Sequence, residues 1–225
     1  MTDPKPRPVA HEALRRSAER LFAEHGVDGV SLRQITRDAG QRNTTAVAYH
    51  FGSRDSLVQA VLDHHLAHIE VRRDALLARW EIGDRPELTE LVDGLVLPLC
   101  AELDCADGGP EFLRIAAEVV NRSDWLFSPG SLIQSLIGPH RRWGDLVEPY
   151  LSPAAAGRLH RRFMVMRFVY VELGRRARQA VTRGDDRLFA SQLTDLVTAL
   201  LTAPLSARTE ALYEQRLNSE TAPVE

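Results

Sequence analysis

What this chain lacks narrows it first. Only two cysteines occur in 225 residues, Cys100 and Cys105, and neither has a cysteine or histidine partner at metal-ligand spacing. They read as free thiols of a reducing compartment, not as a disulfide framework. Lysine is nearly missing: Lys5 stands alone and arginine supplies every other formal cation. No run approaches the ~18 uninterrupted apolar residues that span a bilayer. The opening MTDPKPRPV has no apolar core of the kind a secretory signal needs. A cytoplasmic protein without membrane contact is expected. No segment alternates apolar and polar residues with period two, so strands are not expected either. The sequence holds no G-x-S-x-G, no phosphate-binding glycine loop, no paired cysteine and histidine and no carboxylate cluster of the metal type. Neither an enzyme nor a cofactor is expected; a helical enzyme whose site is hidden from sequence is the remote alternative.

What is present is a globular composition, 44% hydrophobic and 26% charged, sufficient for a core. The net charge of −3 is unevenly spread. Residues 1–54 carry nine Lys/Arg against six Asp/Glu, net +3, and the remainder is net −6. A modestly basic head on an acidic body suits a part that meets phosphates, although surface charge also fluctuates without purpose.

The informative stretch is SLRQITRDAGQRNTTAVAYHFGSRD, residues 31–55. Leu32, Ile35 and Ala39 recur at helical spacing, Ser31 stands at the N-cap, and Gln34 three residues on completes a capping box. Gly40 follows where a helix that stops sharply needs positive φ. Beyond it come Gln41, Arg42, Asn43, Thr44 and Thr45, with only Val47 and Phe51 carrying the apolar period. A helix with so thin an apolar stripe covers little core, and its polar face is rich in groups that bond base edges and phosphates. Two short helices and a tight turn of this kind make a helix-turn-helix, whose second helix enters the major groove. The plain alternative is a solvated helical corner.

The run from Leu21 to Leu62 resembles the DNA-binding domain of the tetracycline-repressor (TetR) family. The likeness lies in Leu21-Phe22 and Gly26, in Ser31-Leu32-Arg33-Gln34-Ile35, in Ala39-Gly40, and above all in Tyr49-His50-Phe51-Gly52-Ser53-Arg54. Two features depart from it: one extra residue lies between Gly40 and Tyr49, and Ala48 stands where an aromatic base-contacting residue is common. The resemblance implies an all-α protein, a regulator that binds a double-stranded DNA operator as a homodimer and is released by a small-molecule effector. In this reading residues 1–53 are the DNA-binding domain, with 1–8 a loose arm. Residues 54–204 are the effector-binding and dimerisation domain, and 205–225 a polar tail. The DNA contacts expected are Ser31, Arg42, Asn43, Thr44, Thr45, Tyr49, His50 and Arg54, with Arg54 holding a phosphate. An effector-binding protein of the same shape with a degenerate reading head is the alternative.

The rest of the chain reads as helices: 53 to about 80, 86 to about 103 with a bend or break at Pro98, 111–122, 153–182 and 185–201. Pro129, Pro139 and Pro149 make 123–151 irregular, and a frayed helix is admissible over 209–217. FMVMRFVYVEL, residues 163–173, is apolar nearly all round, and Gly174 permits close approach of another helix. With the stripe Phe189, Leu193, Leu196, Val197, Leu200 and Leu201, it forms either the middle of a monomeric bundle or a four-helix dimer interface through 153–182 and 185–201. For the effector, the resemblance suggests Trp125, Phe127 and Trp143 as apolar walls, Arg114, Asn121 and Arg167 as orienting groups, and Glu118 or Glu172 as counter-charge. His64 and His68 lie one turn apart, with His65 beside them. No third ligand is evident, so no metal is expected and they read as hydrogen-bonded interior residues.

Overall fold

The computed structural model describes residues 7–43, 45–82, 86–122, 136, 140–157, 159–179 and 185–221. Among them there is no strand, and the chain is all-α. Helix α1 is Arg7–His25, α2 Leu32–Asp38, α3 Ala46–Phe51, α4 Arg54–Ile82 and α5 Leu88–Cys100. A 3-10 turn, Ala101–Asp104, leads to α6, Gly109–Val119. Then come α7, Arg141–Val147, a second 3-10 turn, Glu148–Tyr150, α8, Pro153–Ala156, α9, Arg161–Ala177, α10, Arg187–Thr202, and α11, Ala207–Thr221. One apolar core runs from Leu14 on α1 to Leu201 on α10.

The head is α1–α3 packed on the start of α4. Leu14, Ala18 and Phe22 of α1 meet Ile35, Val47, Leu57 and Val61 in the core. Gly26 at φ +82° ends α1, and Gly40 at φ +65° ends the α2 region, a backbone region that costs other residues strain. The 29 residues of α4 span about 43 Å at 1.5 Å per residue, long enough to reach from the head through the body.

Several sequence expectations change. Arg15 and Glu19, charged residues that a helical pattern would leave in solvent, are buried, because their face of α1 packs against α6 as well as α4. Pro98 does not break α5. The carbonyl its missing N–H leaves unbonded is that of Gly94, and Arg73 Nε of α4 donates to it at 3.2 Å. The single helix expected over 153–182 is two, α8 and α9, parted at Gly157 and at His160 with φ 49°. Nor is α9 buried all round: Val165, Met166, Val169, Tyr170 and Leu173 face the core while Met164 is exposed. Gly174 does admit a close helix, and that helix is α6 of the same chain. A Cβ on Gly174 would lie 2.4 Å from Ala117 Cβ and 2.9 Å from the Leu113 carbonyl oxygen. Within 123–151, residues 141–150 form α7 and a 3-10 turn. The expected tail is helical as α11, exposed on most faces. Of the expected loose arm, Arg7 and Pro8 already belong to α1 and 1–6 lie outside the described residues. Cys100 and Cys105 are unpaired, and burial pushes the Cys100 thiol up to about 12.

Candidate functional site

The head presents a polar surface built from the ends of α2, the turn and α3. Ser31 caps α2: its Oγ accepts from the Gln34 amide, and the Gln34 side chain accepts from the Ser31 amide in return. Arg33, Gln34 and Arg37 stand exposed on the outer face of α2. In α3 only Ala46 and Val47 are buried; Ala48 is exposed and Tyr49 is 64% exposed. Six residues with two in the core leave the helix free to be inserted elsewhere. Arg42 is exposed in the turn, and His50 sits half-buried with its ring edge toward Tyr49 and His11. Thr44 lies outside the described residues.

Two expected contacts have other employment. The side-chain oxygen of Asn43 accepts from the Thr45 amide at 3.0 Å and from the Thr45 hydroxyl at 2.7 Å. Asn43 therefore shapes the entry to α3, and only its amide nitrogen remains for a base. Arg54 points back into the head, where one guanidinium nitrogen donates to the carbonyls of Val27 and Val30. Instead of reaching outward to a phosphate, it ties the α1–α2 loop to the start of α4. Sequence reasoning could not find this, because the two carbonyls belong to a loop 24–27 residues away.

Behind the head is a buried ionic joint that sequence reasoning did not find. Arg15 pairs with Glu12 and Glu19, and Glu19 reaches His65 of α4, 2.5 Å from its Nε2. The other ring nitrogen of His65 is 2.8 Å from Glu102, in the 3-10 turn after α5. His68 and Arg72 also face Glu102, at 3.0 and 3.4 Å. Burial works against a charged His65, but its hydrogen bonds to Glu102 and Glu19 and their charges prevail and hold its pKa above the ordinary value. His64, by contrast, is half-exposed and turns to Asp107 at 3.1 Å.

These features can be set beside known proteins. Residues 14–61 match the family described as bacterial regulatory proteins, tetR family. An HTH-type transcriptional repressor of Mycobacterium tuberculosis is 34% identical, the match covering 69% of this chain and 94% of that protein. An HTH-type transcriptional regulator of Mycobacterium bovis matches equally. The chain belongs to the TetR family. Solved structures agree on the fold. The Mycobacterium smegmatis AmtR structure has a TM-score of 0.51 at 16% identity, covering 96% of this chain and 98% of that one. A HlyIIR mutant has 0.54 at 16%, covering 90% and 100%. This TetR-family chain is a DNA-binding transcriptional regulator and not an enzyme. No single described helix is long and apolar enough to cross a membrane.

In the body of this TetR-family regulator the expected effector residues scatter. Glu118 accepts from the Val27 amide and so belongs to the head–body joint. Arg114 donates to the Ala177 carbonyl, and Arg167 donates to Asn121 on the surface. Trp125 and Phe127 lie outside the described residues. Trp143 lines a groove of about 470 Å³ between α7 and the α8–α9 region, with His140, Arg162, Phe163 and Met166. The ring of Trp143 is otherwise buried, its N–H bonded to the Leu91 carbonyl at 2.7 Å. At the groove's inner wall His140 shares a hydrogen bond with the Tyr170 hydroxyl, leaving its Nδ1 without a partner among the described residues. One guanidinium nitrogen of fully buried Arg73 is also without a partner among the described residues. Burial, then the charge of Arg73, holds the His140 pKa well below the usual value, so this imidazole is neutral.

Proposed function

We propose that the regulator is a homodimeric repressor that reads a palindromic operator and leaves it when a small molecule binds the body. The observation that carries the reading is α3, a six-residue helix with two buried residues and an exposed polar face. Arg42, Asn43 through its amide nitrogen, Thr44, Thr45 and Tyr49 would meet bases and phosphates, with Ser31 and His50 at the flanking backbone. A dimer supplies the second head. Its interface would be the outer faces of α9 and α10, where Leu188 is 81% exposed, Leu196 44% and Leu200 42%, beside exposed Met164. An apolar groove of about 620 Å³ bounded by Met164, Phe168 and Leu200 continues under the start of α11. Repression follows the name borne by the M. tuberculosis relative.

For the effector we favour the groove at Trp143 and His140. A ligand with an apolar body and a polar group that meets the His140 imidazole would satisfy its buried Nδ1. Binding there would shift α4 and with it the separation of the two heads, a change set by the ligand's differential affinity for the two states. The work would be done in the cytoplasm, without a membrane.

The test is selection of bound fragments from the organism's own sheared genome at two salt concentrations. A palindrome with half-sites about one helical turn apart supports the dimeric reader. Salt-sensitive binding without a motif overturns it in favour of an effector-binding protein with a degenerate head, which Ala48 and the longer turn before Tyr49 would explain.

A further inference from the structure

We propose that His65, His68 and Glu102 form a binding site for a divalent transition-metal ion at the joint between the reading head and the body. His65 and His68 lie at i and i+3 on α4, on one face, and Glu102 comes to them from the 3-10 turn after α5. One ligand atom from each residue lies within 4.8 Å of the other two. Glu102 Oε2 is 2.8 Å from His65 Nδ1, and Oε1 is 3.0 Å from His68 Nε2. A tetrahedral ion with bonds of about 2.0–2.2 Å holds neighbouring ligand atoms roughly 3.4 Å apart. Coordination therefore asks these groups to part by about half an ångström, within side-chain motion.

The surroundings are those of a metal centre. A ligating imidazole usually gives its other N–H to a carboxylate, which fixes the tautomer and leaves the remaining nitrogen to the metal. Glu19 does this for His65: it faces Nε2 and leaves Nδ1 toward Glu102 and His68. Glu19 is itself held by Arg15 at 3.0 Å. It is also pressed against Gly108, where a Cβ would lie 2.6 Å from Glu19 Oε2. His65 and Glu102 are fully buried, whereas His68 is 38% exposed, so one side admits an ion and leaves a position for water. Two imidazoles and one carboxylate suit zinc, cobalt, nickel or copper, not magnesium or calcium. When the ion binds, a proton on Nδ1 leaves to solvent and the nitrogen lone pair goes to the metal.

Sequence spacing set His64 and His68 one turn apart with no third ligand and no metal expected; the fold brings together His65 and His68 instead. Helix α4 turns His65 inward and His64 toward Asp107, and the third ligand comes from another element. Because Glu19 belongs to α1, the ion would fix the head's first helix against α4 and the 3-10 turn. Metal occupancy should then alter operator affinity. That consequence rests on the regulator reading; the binding of the ion does not.

The test uses chelator-stripped full-length protein, titrated with cobalt by visible absorption and with zinc by calorimetry. Wild type should bind one ion per chain and show the absorption of four-coordinate cobalt. His68→Ala should lose that absorption. Glu19→Gln, which touches no ion, should weaken zinc by about 10–100-fold. Circular dichroism must show both variants helical; if Glu19→Gln unfolds, His68→Ala alone decides, since His68 is partly exposed. Absence of stoichiometric binding in wild type, or equal weak binding in wild type and His68→Ala, overturns the site and leaves an ion-pair network. Operator binding is then measured with and without zinc. A change in wild type that His68→Ala abolishes supports coupling, and no change overturns coupling alone. Failure to bind any operator counts against the regulator reading and leaves the metal titration standing.

Discussion

Replacing Arg54 by alanine separates two roles for one cation. If Arg54 holds a phosphate, the variant loses one electrostatic contact, and the slope of log affinity against log salt flattens by about 0.9. Thermal stability would barely change. The structure points elsewhere. One nitrogen of Arg54 donates to the Val27 and Val30 carbonyls at 2.5 and 2.6 Å, and the side chain is half-buried. A hydrogen bond from a charged donor contributes about 1.5–3 kcal/mol. Here one nitrogen serves two acceptors and both bonds are only partly buried, so the expected loss is about 2 kcal/mol. For a chain of this size that lowers the melting temperature by about 4–8 °C. The salt slope of operator binding, measured at a temperature where the variant is folded, should match wild type. Affinity should fall through a looser head. The assay is calorimetric melting paired with anisotropy titrations of a labelled operator over a salt series. An unchanged melting temperature with a slope flattened by about one unit would refute the reasoning and return Arg54 to the phosphate.

Three further outcomes are expected. Leu196→Glu with Leu200→Glu places charge on the exposed face of α10 and should leave the monomer folded. Sedimentation should report monomers and operator affinity should collapse; a dimer that survives would move the interface elsewhere. Gly174→Ala gains about 1 kcal/mol of helix propensity but drives a Cβ into Ala117 and the Leu113 carbonyl. Overpacking of this kind costs about 1–3 kcal/mol, so urea midpoints should fall and not rise. His140 is buried with its pKa depressed, so below the ordinary value of 6.5 the unfolded chain takes up a proton that the folded one refuses. Stability should therefore fall with pH below that point, by up to about 1.4 kcal/mol per unit. His140→Gln removes the effect, and the wild-type advantage in urea should shrink from pH 7 to pH 5.

Local features are legible in one dimension. The Ser31–Gln34 box, Gly40 at a helix end and the lean apolar stripe of α3 depend on neighbours a few residues apart, so their signals survive in one dimension. The all-α class and the head followed from the same periodicities. Tertiary structure decided where charges go. Arg15, Glu19, Arg73 and Glu102 look like solvated side chains in a helical pattern, yet they are buried, because α1 and α4 each have neighbours on more than one side. Pro98 looks like a break, but Arg73 from another helix takes the carbonyl that it leaves unbonded. His65 is one histidine among three until Glu19 and Glu102, 46 and 37 residues away, close on its two nitrogens. Burial and ionic partnership depend on which faces meet across the core. One helix's periodicity marks its apolar face but not which other elements press upon its polar one.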